Sequence, residues 1–149
     1  MIQLEALTLG YGQQILLDHV SANLDGGGLI ALLGRNGSGK STLLRATAGL
    51  GTIKSGRILL AGKDLAELRP EELARTVSFV TTEKVRIPNL KCRDVVALGR
   101  APYTNWVGRL QPQDREIVAK SLALLDMSAY AERTMDQMSD GECQRIMIA

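Results

Sequence analysis

Apolar and polar residues alternate from the start of the chain. Ile2, Leu4 and Ala6 are interleaved with Gln3 and Glu5, and Leu7 and Leu9 carry the pattern to Gly10. This period of two predicts a half-buried strand. Tyr11-Gly12 predicts a turn, and residues 15–24 predict a second strand with Leu16, Val20, Ala22 and Leu24 on one face. Asp25-Gly26-Gly27-Gly28 breaks it. Leu29-Ile30-Ala31-Leu32-Leu33 is a continuous apolar run, the pattern of a strand buried on both faces. The period then changes. Residues 40–50 predict a helix, with Gly49 and Gly51 available to end it. A strand over 56–61, a short helix over 70–75 opened by Pro70, and a short β-type run over 77–80 follow. Residues 93–100 and 112–127 predict helices, the second with Val118, Leu122 and Leu125 at i, i+4 and i+7. A further helix is expected from Asp140 to Ala149. An α/β first half thus leads into a mostly helical second half, with no internal repeat.

Composition narrows this picture. The 149 residues are 45% hydrophobic and 23% charged, which suits a packed domain and not a disordered tract. A net charge of +2 is too small to argue for nucleic acid. Two cysteines, Cys92 and Cys143, and one histidine, His19, form no zinc spacing or disulfide framework and fit a reducing compartment. The opening residues have no basic stretch followed by an apolar one, so no secretory signal is expected. No apolar run reaches the ~18 residues that span a bilayer. A role at a membrane would therefore need another subunit as anchor.

Two motifs carry chemistry. Gly34-Arg35-Asn36-Gly37-Ser38-Gly39-Lys40-Ser41 fits G-x-x-x-x-G-K-[ST] at every fixed position, between a predicted strand and a predicted helix. Glycines let the backbone curl so that N–H groups converge on one anion, and the following helix adds its positive end. Lys40 suits the β- and γ-phosphates, and the Ser41 hydroxyl suits Mg²⁺. This loop serves many enzyme classes, so by itself it predicts nucleotide binding and no biological role. About 100 residues later comes Met138-Ser139-Asp140-Gly141-Glu142-Cys143-Gln144-Arg145. Alone it reads as a helix start capped by Ser139, with Glu142 three residues on.

Together the two motifs resemble the phosphate loop (Walker A) and signature motif of the ATP-binding cassette (ABC) family, and the resemblance covers the whole chain. It implies an α/β P-loop NTPase fold, with a RecA-like core, an antiparallel β subdomain and an α-helical subdomain. Residues 1–83 would form the nucleotide-binding α/β part and 84–149 the helical part ending in the signature. In the family the nucleotide is sandwiched between two subunits. The resemblance thus implies that Gly34, Asn36, Gly37, Ser38, Gly39, Lys40, Ser41 and Thr42 hold ATP and Mg²⁺, with Ser41 on the metal. It places Ser139, Asp140, Gly141 and Glu142 against ATP bound to a second copy in a head-to-tail dimer. Tyr11 stands where the family keeps an aromatic residue that stacks on adenine. With only one Phe, one Trp and three Tyr in the chain, that placement is informative.

The chain departs from the family pattern at two points. Asp140 stands where the signature usually has glycine, and a carboxylate there repels phosphate unless it turns away or finds a cation. The family also places a glutamine just after the strand expected near Val80, where this chain reads Thr81-Thr82-Glu83. Thr82 or Glu83 are both candidates for that Mg²⁺ contact, since each carries an oxygen ligand.

The run Val95-Val96-Ala97-Leu98-Gly99-Arg100-Ala101-Pro102-Tyr103 resembles the helical subdomain of importer ATPases for ferric siderophores, haem and vitamin B12. Its plainer reading is an amphipathic helix ending at Gly99. Residues 84–115 carry seven basic and two acidic side chains. In the family this region faces the membrane-embedded permease, and a solvated basic face is the duller alternative. Nucleic-acid binding would want more interleaved aromatics than Tyr103 and Trp106.

The resemblance implies an ATPase that powers import from the cytoplasmic face of the cell membrane. Its partners would be a second copy, transmembrane permease subunits and, indirectly, a substrate-binding protein, with no nucleic acid. It also implies an Asp-Glu pair on a later strand and a γ-phosphate-sensing histidine, both beyond the helix begun at Asp140. The chain is thus expected to stop before that strand (Walker B), to bind ATP without turnover, and to be marginally stable or self-associating. Other readings are a DNA-repair or chromosome-maintenance head, a non-hydrolysing nucleotide-dependent module, and another phosphate-loop enzyme. The first would want long coiled coils between the motifs, and no sustained heptads occur here. The second would lack the Asp-Glu pair. The third leaves the Ser139 motif unexplained.

Overall fold

The computed structural model describes residues 1–81, 88–104 and 108–149. Thr82, Glu83 and Trp106 therefore lie outside the described residues. The chain forms two compact units, residues 1–78 and 79–149, each with its own apolar core.

The first unit is built on a four-stranded antiparallel sheet in the order β2-β1-β3-β4. Its strands are β1 (Ile2–Tyr11), β2 (Gln14–Leu24), β3 (Ser55–Leu60) and β4 (Lys63–Asp64), accompanied by α1 (Lys40–Thr47) and α2 (Pro70–Thr76). The β1–β2 hairpin closes through Gly12-Gln13, with Tyr11 opposite Gln14. Gly10 is required there, because a Cβ would lie 2.0 Å from the Gln14 carbonyl oxygen.

The alternation read from sequence is interrupted by bulges. Ala6 has φ 44° and His19 has φ 49°, and the β1–β2 register shifts between Leu4 and Leu7, between Leu7 and Leu9, and between Leu9 and Gly10. An extra residue in a strand reverses which side chains face inward. Leu4 is accordingly buried, Ala6 is exposed, and Leu7 and Leu9 are buried again. On β2 the core-facing set becomes Leu17, Val20 and Ala22, and Leu16 is left off it.

Leu4, Leu7, Leu9, Ala46, Ile58 and Leu60 form the buried centre of this unit. Ile58 has no solvent exposure. Ile58→Ala is expected to remove about 3 kcal/mol of stability and to lower the unit's melting temperature by about 15 °C. Leu44 is 51% exposed, so Leu44→Ala should stay within about 0.5 kcal/mol. Comparable losses from the two substitutions in calorimetry would refute this core assignment.

Helix α1 ends earlier than its pattern suggested. The Gly49 amide donates to the Ala46 carbonyl and the Leu50 amide to that of Arg45, with Gly49 at φ 72°. This pair of bonds is the Schellman C-cap, and it stops the helix at Thr47.

Two expected strands are absent. Residues 29–33 and 77–80 form neither strand nor helix. A strand is made by its ladder, and none of the described strands supplies one to either segment. The apolar run is consequently open to solvent, with Leu29 101% and Leu33 88% exposed.

The second unit is helical. It contains α3 (Cys92–Leu98), α4 (Pro112–Leu124) and α5 (Asp140–Ile148). Val95, Val96, Val118, Leu122 and Ile146 pack with a sulfur-rich set: Cys92, Met127, Met135, Met138 and Cys143. Both cysteines are free thiols, and burial pushes the Cys92 thiol pKa up. Helix α4 stops before Met127 by the same C-cap chemistry, with Asp126 (φ 57°) in the left-handed position. The Met127 amide donates to Leu122 and the Asp126 amide to Ala123.

Arg100 and Asp114 tie the end of α3 to the start of α4. The Arg100 Nε donates to Asp114 Oδ1 at 3.0 Å, the Gln111 amide donates to Asp114 Oδ2 at 2.9 Å, and the guanidinium lies 4.2 Å from the Tyr103 ring centre. Arg100 in the Val-x-x-Gly-Arg-x-Pro run thus has a structural task.

Candidate functional site

The loop from Gly34 to Gly39 leads directly into α1. Gly39 is the N-cap, with φ 87°. An L-residue there would be strained, and its Cβ would press on Leu17 and Leu16 at 3.3 and 3.4 Å. A Cβ at Gly34 would lie 2.9 Å from the Ser38 Oγ, so Ser38 packs closely across the loop. Lys40 Nζ donates to the carbonyls of Gly34 at 2.8 Å and Arg35 at 2.7 Å. The ammonium is therefore folded over the loop that precedes it.

Two hollows meet at Thr42. One, of about 420 Å³, is walled by Asn36, Gly37, Gly39, Lys40, Ser41 and Thr42, with Leu16 opposite. The first amides of α1 have no helical acceptor, and the helix dipole adds positive potential at the same end. With Lys40 beside them, these groups suit an anion. The other hollow, of about 640 Å³, is walled by Gly10, Tyr11, Thr42, Arg45 and the segment 49–52. Tyr11 ends β1, is 62% exposed, and its hydroxyl lies 3.4 Å from Thr42 Oγ1. The geometry joins an anion cradle to a flat aromatic wall.

Among the described residues no group of three or more His, Cys, Asp or Glu could hold a metal. The Ser41 hydroxyl, on the wall of the anion cradle, is a single oxygen donor. That donor set fits a Mg²⁺ carried in on phosphates and not a resident carboxylate cage.

The second motif begins α5 in the other unit. Ser139 is the N-cap, and its hydroxyl accepts from the Glu142 amide at 3.4 Å. Glu142 Oε2 accepts from the Ser139 amide at 2.8 Å and from its hydroxyl at 2.6 Å. This is the capping box expected from the sequence. Gly141 borders open space, where an added Cβ would touch nothing within 4 Å, and Asp140 is exposed.

Several carboxylates of this unit have depressed pKa values. Glu142 is lowered first by the Ser139 hydroxyl, Glu132 by Lys91, Asp136 by Thr134, and Asp114 by the Gln111 amide and then Arg100. A carboxyl whose folded pKa lies below its unfolded value contributes stability above the unfolded value. That stability is lost as pH falls through the folded one. These carboxylates should thus contribute constant stability to the helical unit above the ordinary glutamate value of 4.5 and progressively less below it. Circular dichroism against pH tests this, and Glu142→Gln should flatten part of the slope. An acid profile unchanged by that substitution would contradict the assignment.

Sequence reading missed Leu16 on the anion cradle and Arg45 and Thr52 on the aromatic hollow. It also missed Lys54, whose ammonium reaches the Gly12 carbonyl. None of these follows from a local pattern, because each depends on the sheet bringing distant segments together.

A family model described as ABC transporter matches residues 17–149. The chain belongs to the ABC transporter family. An uncharacterized ABC transporter ATP-binding protein of Methanocaldococcus jannaschii is 38% identical over 149 residues, which are all of this chain and 51% of that protein. A probable siderophore transport system ATP-binding protein of Bacillus subtilis is 34% identical, over 99% of this chain and 54% of its own length. The chain spans about half the length of the curated relatives it matches. Among solved structures, the ATP-binding subunit of an ABC transporter superposes with a TM-score of 0.82 at 26% identity, covering 99% of this chain and 59% of that one. A dimeric ATP-binding cassette bound to ADP and Pi superposes with a TM-score of 0.80 at 25% identity, covering 99% and 67%. The fold of this ABC family chain is accordingly that of the P-loop NTPase cassette.

Proposed function

We propose that this chain is the nucleotide-holding portion of an ABC transporter's ATP-binding subunit. The observation that carries the reading is Lys40 folded over its loop at the mouth of α1, beside a Tyr11-walled hollow. Gly34, Asn36, Gly37, Ser38, Gly39, Lys40, Ser41 and Thr42 hold the phosphates, and Tyr11 receives the adenine. Mg²⁺, held through Ser41, neutralises phosphate charge. Residues 1–83 supply this site, with Thr82 or Glu83 as candidates for a further metal contact. Residues 84–149 present Ser139, Asp140, Gly141 and Glu142 to ATP on a second copy in a head-to-tail dimer.

The complete protein hydrolyses ATP to drive import, with permease subunits and a substrate-binding protein as partners, at the cytoplasmic face of the membrane. The described residues include no helix long and apolar enough to cross a bilayer. The siderophore-system relative and the 95–103 run favour iron-siderophore, haem or cobalamin cargo. The 149 residues alone bind ATP without turning it over.

Titration calorimetry with MgATP tests the reading. Saturable binding that weakens in excess chelator is expected, with no phosphate release from the 149-residue chain. Absence of binding at millimolar nucleotide would overturn it.

A further inference from the structure

Tyr11 stands at the tip of a ribbon with uneven support. The β1–β3 ladder ends at Thr8 and Ser55. From Leu9 to Tyr11, β1 is paired only with β2. A two-stranded ribbon is marginally stable alone and twists more than a wider sheet. The wall of the aromatic hollow therefore rests on the least supported stretch of the sheet.

Lys54 spans this gap. It immediately precedes β3, and its amide donates to the Thr8 carbonyl at 3.0 Å, continuing the ladder by one bond. Its side chain then reaches the turn, where Nζ donates to the Gly12 carbonyl at 2.5 Å. That carbonyl belongs to the residue after Tyr11. On the other side the Tyr11 hydroxyl meets Thr42 of α1. The ring thus meets the loop helix at its hydroxyl, and the residue that follows it is held by Lys54.

We propose that Lys54 is a positioning residue for the base-binding platform, taking the place of a missing neighbouring strand. This rests on the proposed nucleotide site. Lys54 does not line the anion cradle, so its effect falls on recognition of the base and leaves phosphate binding untouched.

The experiment compares MgATP with magnesium tripolyphosphate, which has the phosphates and no base, on the full-length protein. Lys54→Ala should weaken MgATP by about fivefold, less than the full worth of a charge-assisted hydrogen bond, because Lys54 acts through the turn and does not touch the ligand. Tripolyphosphate affinity should stay within about twofold. Lys54→Arg, which keeps a cationic donor, should restore most of the ATP affinity. Equal losses for both ligands, no loss for either, or failure of arginine to rescue would overturn the proposal. If the unsubstituted protein bound tripolyphosphate and ATP equally, the base platform itself would be refuted. If it bound neither, the nucleotide site would fall first.

Discussion

Lys40→Ala is expected to lower MgATP affinity by about 100-fold or more. A hydrogen bond from a charged donor contributes about 1.5–3 kcal/mol, and each 1.4 kcal/mol is about tenfold in affinity. Lys40 presents one ammonium to two carbonyls, of Gly34 and Arg35. Alanine removes the cation facing the phosphates and also the bonds that hold the loop's first two residues. Lys40→Arg should rescue little, because a planar fork does not reproduce the compact ammonium at that spot. Calorimetric titration decides the matter, with far-ultraviolet circular dichroism confirming that α1 persists. Affinity within threefold of the unsubstituted chain would remove Lys40 from the site.

The 149-residue chain is also expected to self-associate in a concentration-dependent way, and Leu29→Lys with Leu33→Lys to disperse it. Leu29, Ile30, Leu32 and Leu33 are all exposed in one segment that belongs to no strand or helix. Such a run places contiguous apolar surface beside backbone groups that no ladder takes up, the two ingredients of edge-to-edge association. Two lysines put charge inside this apolar run. Light scattering coupled to size exclusion would show the shift. A cooperatively melting monomer without the substitutions would defeat this expectation.

Much of the molecule was legible before any coordinates. Pro70 and Pro112 mark helix starts, Ser139 and Glu142 form their capping box, and the loop from Gly34 to Lys40 sits at a helix N-terminus as its spacing requires. These signals are local, so a chain read in order reveals them. Long-range terms were hidden. The run 29–33 has the composition of a buried strand, but pairing belongs to neighbours and not to composition. Asp126 ends α4 in a left-handed conformation that glycine would have advertised. Ala6 and His19 displace the alternation by one residue, and no side-chain pattern announced either. In the candidate site, six of the loop residues read from the motif, Asn36, Gly37, Gly39, Lys40, Ser41 and Thr42, line one hollow. Lys54 escaped notice because its partner Gly12 lies 42 residues away.

The paired bulges at Ala6 and His19 restrict how this hairpin can change length. The offset introduced in one strand is undone by the other between Leu4 and Leu9, so both of these residues stay in phase with the core, and a further shift between Leu9 and Gly10 precedes the turn. Deleting Ala6 alone would turn half of the hairpin inside out, bringing polar positions against Ile58. Deleting one residue from each strand would keep the phase. Insertions and deletions here should accordingly be inherited as matched pairs, and a lone indel should be purged as a folding defect.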